Sequence, residues 1–300
     1  MWIVNNRKIF YALSIVLVLI SVASLSLWRL NPGIDFTGGT LIDVVYPNGL
    51  PDQSQLTHAL SLTDPNVSVR VSGANEYIVR MKPISQDEHQ AVTKSLSLNG
   101  TAQAVEKTFD SVGPVLGSEA LKSAYVSIAL VIIGIVLYIT FAFRKVSEPV
   151  SSWKYGLVAV VALAHDVIIP LGAFSILGHY AGYEVDTLFI TAILVVLGFS
   201  VHNTIVVFDR VRENLKLSNG KKPFYQIVGE SVSQTLTRSI NTSLTTLIAL
   251  IVLYFVGGSS TQHFSLALII GIAAGTYSSV CIGSPLLVTL ERWQASKGKK

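Results

Sequence analysis

Six stretches of this chain are apolar for about twenty residues each, and no other feature restricts its fold so severely. Lipid offers no partners to backbone N–H and C=O groups, so a segment crossing it must satisfy them internally, and a helix of roughly 20 residues does so over a core about 30 Å thick. The stretches run over about residues 9–28, 123–143, 155–177, 186–208, 238–256 and 263–289. The last is long enough to be tilted, or broken near Gly283 and Pro285. Charged residues make up only 13% of the 300, about half the share of a soluble domain, which argues against a soluble fold. The first stretch follows MWIVNNRK, the charge order of a signal peptide. It is too long and lacks a small-residue cleavage site, so it reads as a retained span.

The net charge of +4 would fit a nucleic-acid partner if the basic residues formed a patch, but they lie beside the apolar stretches. Arg7 and Lys8 precede the first, and Arg144, Lys145 and Lys154 separate the second from the third. Arg210, Arg212, Lys216, Lys221 and Lys222 follow the fourth, and Arg292, Lys297, Lys299 and Lys300 follow the sixth. The connections after the third and fifth contain no Lys or Arg. Basic residues are retained on the cytoplasmic side, so both termini are expected there and residues 30–120 outside. The single cysteine, Cys281, can form no internal disulfide and reads as a small packing residue.

The segment between the first two spans has its own rhythm. TLIDVVY alternates as a strand, and DQSQLTHALSLT reads as a helix with Asp52 as its N-cap. VSVRVSG and EYIVRMK flank Gly73-Ala74-Asn75 as a hairpin, SQDEHQAVTKSLS is a second helix, and TAQAVEKTFDSVG is a last strand. The order β-α-β-β-α-β predicts a ferredoxin-like α+β domain with one small core. The expected architecture is a membrane all-α six-helix bundle with this domain inserted: 1–29 a first transmembrane helix, 30–120 the external domain, 121–292 helices two to six, 293–300 a basic cytoplasmic tail. A small domain held above a membrane suits binding or gating better than a deep catalytic pocket.

Asp166 is the most informative residue on physical grounds. It falls about eleven residues into the third span, roughly 16 Å deep and near the midplane. An ionised carboxylate there costs at least about 2.5 to 3.5 kcal/mol, so it must be neutral, paired or hydrated. A part in proton coupling competes with a purely structural, hydrogen-bonded role. His165 points about 100° away around the helix and is expected on a different face, free for an interhelical hydrogen bond or a relay. The stretch Ser231 to Thr246 is rich in hydroxyls, which suits close helix packing or a hydrated path. Asp209, Arg210, Arg212 and Glu213 form a charged cap in which Asp209 and Arg212 attract at i,i+3 while Asp209 and Glu213 repel at i,i+4. Gly33, Gly38 and Gly39 permit tight turns where the chain leaves the first span, as a hinge or seat for the inserted domain or as a plain linker. The sequence contains no phosphate loop, metal-ligand set or nucleophile triad, so neither an enzyme nor a cofactor is expected.

Four segments carry a family resemblance: NPGIDFTGGT (31–40), ALAHDVIIPLG (162–172), GFSVHNTIVVFDRVREN (198–214) and SVSQTLTRSINTSLTTL (231–247). The first resembles the signature shared by the SecD and SecF proteins of bacterial export, with Gly33, Asp35, Phe36, Gly38 and Gly39 in it; the others are similar to the SecF side of that family. The resemblance covers essentially the whole chain. It implies a subunit that pairs with a SecD-like partner in a pseudo-symmetric twelve-helix unit related to resistance-nodulation-division transporters. It also implies work beside the SecYEG channel, with YajC as a further partner, to promote preprotein export with protons as the coupling ion. The implied location is the bacterial inner membrane, with lipid and preprotein as contacts and no nucleic acid. Arg238 matches the arginine that family members are thought to set against an intramembrane acid; a snorkelling anchor is the plainer reading.

One departure stands out. Family members commonly carry an acid at the position of Asn203, whereas this chain reads His202-Asn203-Thr204. An amide exchanges no proton near neutral pH, so Asp166 and His202 have taken over, or the gradient is used weakly or not at all, or the Asn is an engineered mimic of a protonated acid. A structural subunit that stabilises the complex without moving protons is the competing reading, and half of a small-solute exporter is disfavoured by the signature segments.

Overall fold

The computed structural model describes residues 2–143 and 151–297, so Arg144, Lys145, Lys299 and Lys300 of the topology argument lie outside the described residues. The chain divides into two compact units, Pro32–Tyr125 and, together, Met1–Asn31 and Val126–Lys300.

A short helix α1 (Trp2–Asn5) leads into α2 (Arg7–Trp28), the first apolar helix. The inserted unit follows as α3 (Ile34–Thr37), β1 (Gly39–Val45), α4 (Gln53–Ser61), β2 (Ser68–Val71), β3 (Glu76–Met81), α5 (Gln86–Leu96) and β4 (Val105–Val112), and it includes the first turns of α6 (Pro114–Ala142). The strands form one antiparallel sheet in the order β2-β3-β1-β4, the ferredoxin-like arrangement read from the sequence. Local chemistry fixes its helices. Asp52 caps α4 by accepting from the Ser54 amide at 2.7 Å. Ser85 and Glu88 form a reciprocal capping box at the start of α5. Ile42 and Val44 of β1, Val79 of β3, Leu56 and Leu60 of α4 and Val92 of α5 are fully buried against one another, at about 1.5 to 3 kcal/mol per side chain. The Tyr46 hydroxyl donates to the Leu96 carbonyl at 2.9 Å, and burial pushes its pKa up to about 12.

Four further helices complete the membrane unit with α6: α7 (Ser152–Ala181), α8 (Thr187–Ser218), α9 (Phe224–Val256) and α10 (Ser259–Ser278), which continues through a π-turn, Ser279–Gly283, into α11 (Ser284–Lys297). Among the described residues, six helices are long and apolar enough to cross a membrane, the last being Thr261–Gln294 taken through the π-turn. Apolar side chains such as Leu19, Leu130, Leu137 and Phe255 are exposed, as lipid-facing residues are. Small residues bring the helices together: a Cβ on Gly172 would fall 2.4 Å from the Ser21 Cα. The Ser24 hydroxyl donates to the Gly172 carbonyl, and the Ser175 hydroxyl lies 2.9 Å from the Ser24 carbonyl, which ties α2 to α7.

Helix boundaries differ from the hydropathy reading in a consistent way. α9 begins at Phe224 rather than near 238, and α8 runs to Ser218 rather than 208. Hydropathy sees only the lipid-crossing part, while Phe224, Ile227, Val228 and Val232 bury one face of the polar extension. The irregularity expected near Gly283 and Pro285 is the π-turn. Pro285 has no N–H for the Cys281 carbonyl, and a wider turn at this point absorbs the loss.

Candidate functional site

Asp166 is completely buried near the middle of α7, and three side chains from three helices meet on its carboxyl. Ser200 of α8 donates a short hydrogen bond to Oδ2, and Ser278, the last residue of α10, donates to the same oxygen at 2.7 Å. His165 Nδ1 stands 2.9 Å from Oδ1. The expectation that His165 faces elsewhere is therefore corrected. The Cβ directions diverge by about 100°, but Nδ1 is the ring nitrogen nearest the backbone, and two short side chains span that angle. The His165 ring is buried with Nε2 unpartnered, and its centroid is 6.1 Å from that of Tyr277.

Backbone irregularities converge on this point. Pro170, four residues after Asp166, removes the amide that would bond the Asp166 carbonyl, and the π-turn starts immediately after Ser278. Gly275 lets α10 approach: a Cβ there would lie 3.1 Å from the Ser200 Cβ and 3.5 Å from Asp166 Oδ2. Ser200, Ser278 and Gly275 escaped the sequence reading because hydroxyls and glycines are common in spans. Pro170 was the available signal, since a proline four residues past a buried acid frees a carbonyl beside it.

Among the described residues, no hydrogen bond joins the other candidates to this cluster. Asn203 is buried with its Nδ2 unpartnered, and His202 is exposed on the outer side of α8, about 200° around the helix from Ser200. Sequence adjacency to Asn203 does not bring His202 to Asp166. Arg238 is exposed in a cleft of about 290 Å³ shared with Asp209, Arg210, Glu213 and Gln234. Asp209 and Arg212 stand 3.8 Å apart, as their spacing predicts. The sequence did not reveal that Arg210 bonds both Glu213 and Gln234, or that Asn214 bonds Ser231 and Gln234, which pins α8 to α9. Of the hydroxyl-rich stretch, Ser243 pairs with Thr276 at 2.6 Å and Ser239 is buried without a partner; neither hydroxyl bonds Asp166.

The signature loop belongs to the inserted unit. Gly33 is buried and caps α3, whose Ile34 and Phe36 are buried, while Asp35 is partly exposed. Gly38 has a φ of +72°, and a Cβ on it would meet the Pro114 Cα at 2.8 Å. A Cβ on Gly117 would meet the Gly38 amide nitrogen at 2.9 Å, and Gly39 opens β1. Gly38 is thus required by a close approach to the start of α6 as much as by turn geometry, while Gly39, at a φ of +138°, packs against Ile34 and the Met81 carbonyl, each 3.1 Å from where a Cβ would stand.

Among the described residues, six lipid-compatible helices, an inserted ferredoxin-like domain and a buried carboxyl caged by hydroxyls and an imidazole define a multi-pass membrane protein with a polar centre in its helical unit. Protein export membrane protein SecD/SecF, C-terminal, matches residues 92–293, and the SecD/SecF GG motif matches residues 29–46. The chain belongs to the SecD/SecF family, on its SecF side: it is 41% identical to the protein translocase subunit SecF of Thermobaculum terrenum, over 96% of this chain and 93% of that one. It is 35% identical to the SecF of Anaerolinea thermophila, over 96% of this chain and 94% of the relative. Among solved structures it is similar to SecDF of Thermus thermophilus, described as a translocon-associated membrane protein, with a TM-score of 0.82 and 30% identity. That match covers 96% of this chain and only 38% of the solved one.

Proposed function

We propose that this chain is a transport subunit, not an enzyme, that couples proton movement at Asp166 to preprotein export. In this reading it works with a SecD-like subunit and the SecYEG channel, with YajC as an accessory partner. The observation that carries the coupling reading is the chemistry of the Asp166 cage. Hydroxyls and imidazole can each donate or accept, so the same three partners satisfy the carboxyl with its proton or without it. The cluster joins α7, α8 and α10, so a change in its hydrogen-bond pattern changes how three helices are held.

Support for a membrane partner comes from the surface of α9. Arg238, Asn241 and Thr242 are exposed along the lipid-crossing part of α9, and so is His202 on α8. Polar groups in hydrocarbon are costly, and a second helical unit would cover them. The distribution of Lys and Arg supports termini on the cytoplasmic side and an external inserted domain, and the likeness to bacterial SecF proteins supports a bacterial inner membrane as the location.

A structural subunit that moves no protons is the second reading. It is favoured by Asn203, a buried amide at a position where the family resemblance implies an acid. Asp166→Asn separates the two: the coupling reading expects export into membrane vesicles to lose its dependence on the proton gradient while the protein still assembles. Unchanged dependence establishes the structural reading. Asn203→Asp is expected to strengthen gradient dependence under the first reading and to leave export unchanged under the second.

A further inference from the structure

Two cavities flank residues 2–10, and their chemistry is complementary. One is a polar cleft of about 440 Å³ lined by Arg7, Lys8 and Arg292 with Asn5 and Asn6, and no acidic side chain lines it among the described residues. The other is a crevice of about 510 Å³, almost wholly apolar, between the N-terminal segment, α9 and the last span, with Trp2, Phe10, Leu236, Leu247, Ala273 and Cys281 among its lining residues. Residues 5–9 line the first, while Trp2, Ile3 and Phe10 line the second, so the cavities open from neighbouring faces of one short segment.

Distant parts of the sequence build this juxtaposition. Hydrogen bonds from Tyr11 to Thr289 and from Ser14 to Tyr277 lay the last span along α2, which carries Arg292 to the same end as Arg7 and Lys8. Arg7 donates one N–H to the Val4 carbonyl at 3.1 Å, which orients the guanidinium and leaves its other donors unused by that bond. Arg292 lies over the Tyr225 ring, 5.8 Å from its centroid, and lines the cleft beside Arg7 and Lys8. The crevice follows α9 from Leu236 to Leu247, about 16 Å at the helical rise, which is close to half the hydrocarbon thickness of about 30 Å. A cationic cleft beside an apolar slot one leaflet deep matches a molecule with a phosphate at one end and an acyl chain at the other.

We propose that this end of the helical unit binds an anionic phospholipid, its phosphate held by Arg7, Lys8 and Arg292 and one acyl chain lying in the crevice along α9. The site is independent of Asp166 and of the proposed coupling. Charge complementarity selects the occupant: a neutral partner helix would use the crevice and gain nothing from three converging cations.

The test is native mass spectrometry of the full chain released from membranes containing equal amounts of phosphatidylglycerol and phosphatidylcholine. Each basic group beside an anionic headgroup contributes about a fivefold preference, so the wild type is expected to retain phosphatidylglycerol over phosphatidylcholine by roughly tenfold or more. Replacing Arg7, Lys8 and Arg292 together by Gln is expected to bring that preference to about twofold or less. Ala273→Phe fills the crevice, leaves every cation in place and is expected to lower phosphatidylglycerol retention; it answers the question if the triple variant fails to fold. The proposal is overturned if the wild type shows no preference, if a folded triple variant keeps the wild-type preference, or if Ala273→Phe retains as much phosphatidylglycerol as the wild type. It is also overturned if excess inorganic phosphate displaces the lipid, because the site would then hold a free anion.

Discussion

Asp64 and Asp166 are both buried acids, and the contrast between them separates what holds this protein together from what it can do. Asp64, in the inserted unit, accepts from two backbone amides, Asn66 at 2.9 Å and Lys82 at 2.6 Å, and so ties the loop after α4 to the end of β3. Backbone N–H groups only donate, so that arrangement has one hydrogen-bond pattern. Asp166, in the helical unit, is surrounded by Ser200, Ser278 and His165, all of which can reverse roles. The first carboxyl is a fastener. The second can change state without being left unsatisfied.

The sharpest way to break this comparison is to force the helices apart at the second site. A leucine at Gly275 has no room between Ser200 and Asp166, so Gly275→Leu is expected to separate α10 from α8. Gradient-dependent export should be lost, and thermal unfolding in detergent should show a cost of about 1 to 3 kcal/mol. Asp64→Asn has the opposite profile. It turns one acceptor toward a backbone donor as an NH2 group, and is expected to cost the inserted unit about 1 to 3 kcal/mol, read by hydrogen exchange of β3 and the loop after α4. Gradient dependence should be unchanged, and a loss there would erase the distinction between the two acids.

The smallest effect is expected at the capping box. The Ser85 amide, then its hydroxyl, hold the Glu88 carboxyl below the usual range. A carboxyl whose folded pKa is depressed contributes stability that is present at neutral pH and disappears as pH falls through the depressed value. Ser85→Ala should therefore loosen α5 slightly at neutral pH, with the difference from wild type shrinking in acid, as followed by hydrogen exchange of α5 across a pH series.

The two units were not equally legible in the sequence. In the inserted one, alternation in TLIDVVY, the Asp52 cap and the turn at Gly73 each have a local cause, so the order of elements could be read directly. The apolar spans were readable for the same reason, but their polar extensions were not, because what makes Phe224 to Thr237 helical is burial against neighbours that hydropathy does not see. At the candidate site, Asp166 announced itself by depth alone. Its partners did not, since Ser200 and Ser278 lie 34 and 112 residues away and only the fold brings them together. His165 was assigned to the wrong face because angular spacing describes Cβ directions and not the reach of the side chains beyond them.

The proposed coupling requires the Asp166 carboxyl to gain and lose a proton inside the helical unit. Infrared difference spectra of the full chain in lipid, recorded between acidic and alkaline buffer, observe that carboxyl directly. The account predicts a carboxylic-acid band that changes with pH in the wild type and is missing from Asp166→Asn. Identical difference spectra from the two proteins would contradict it.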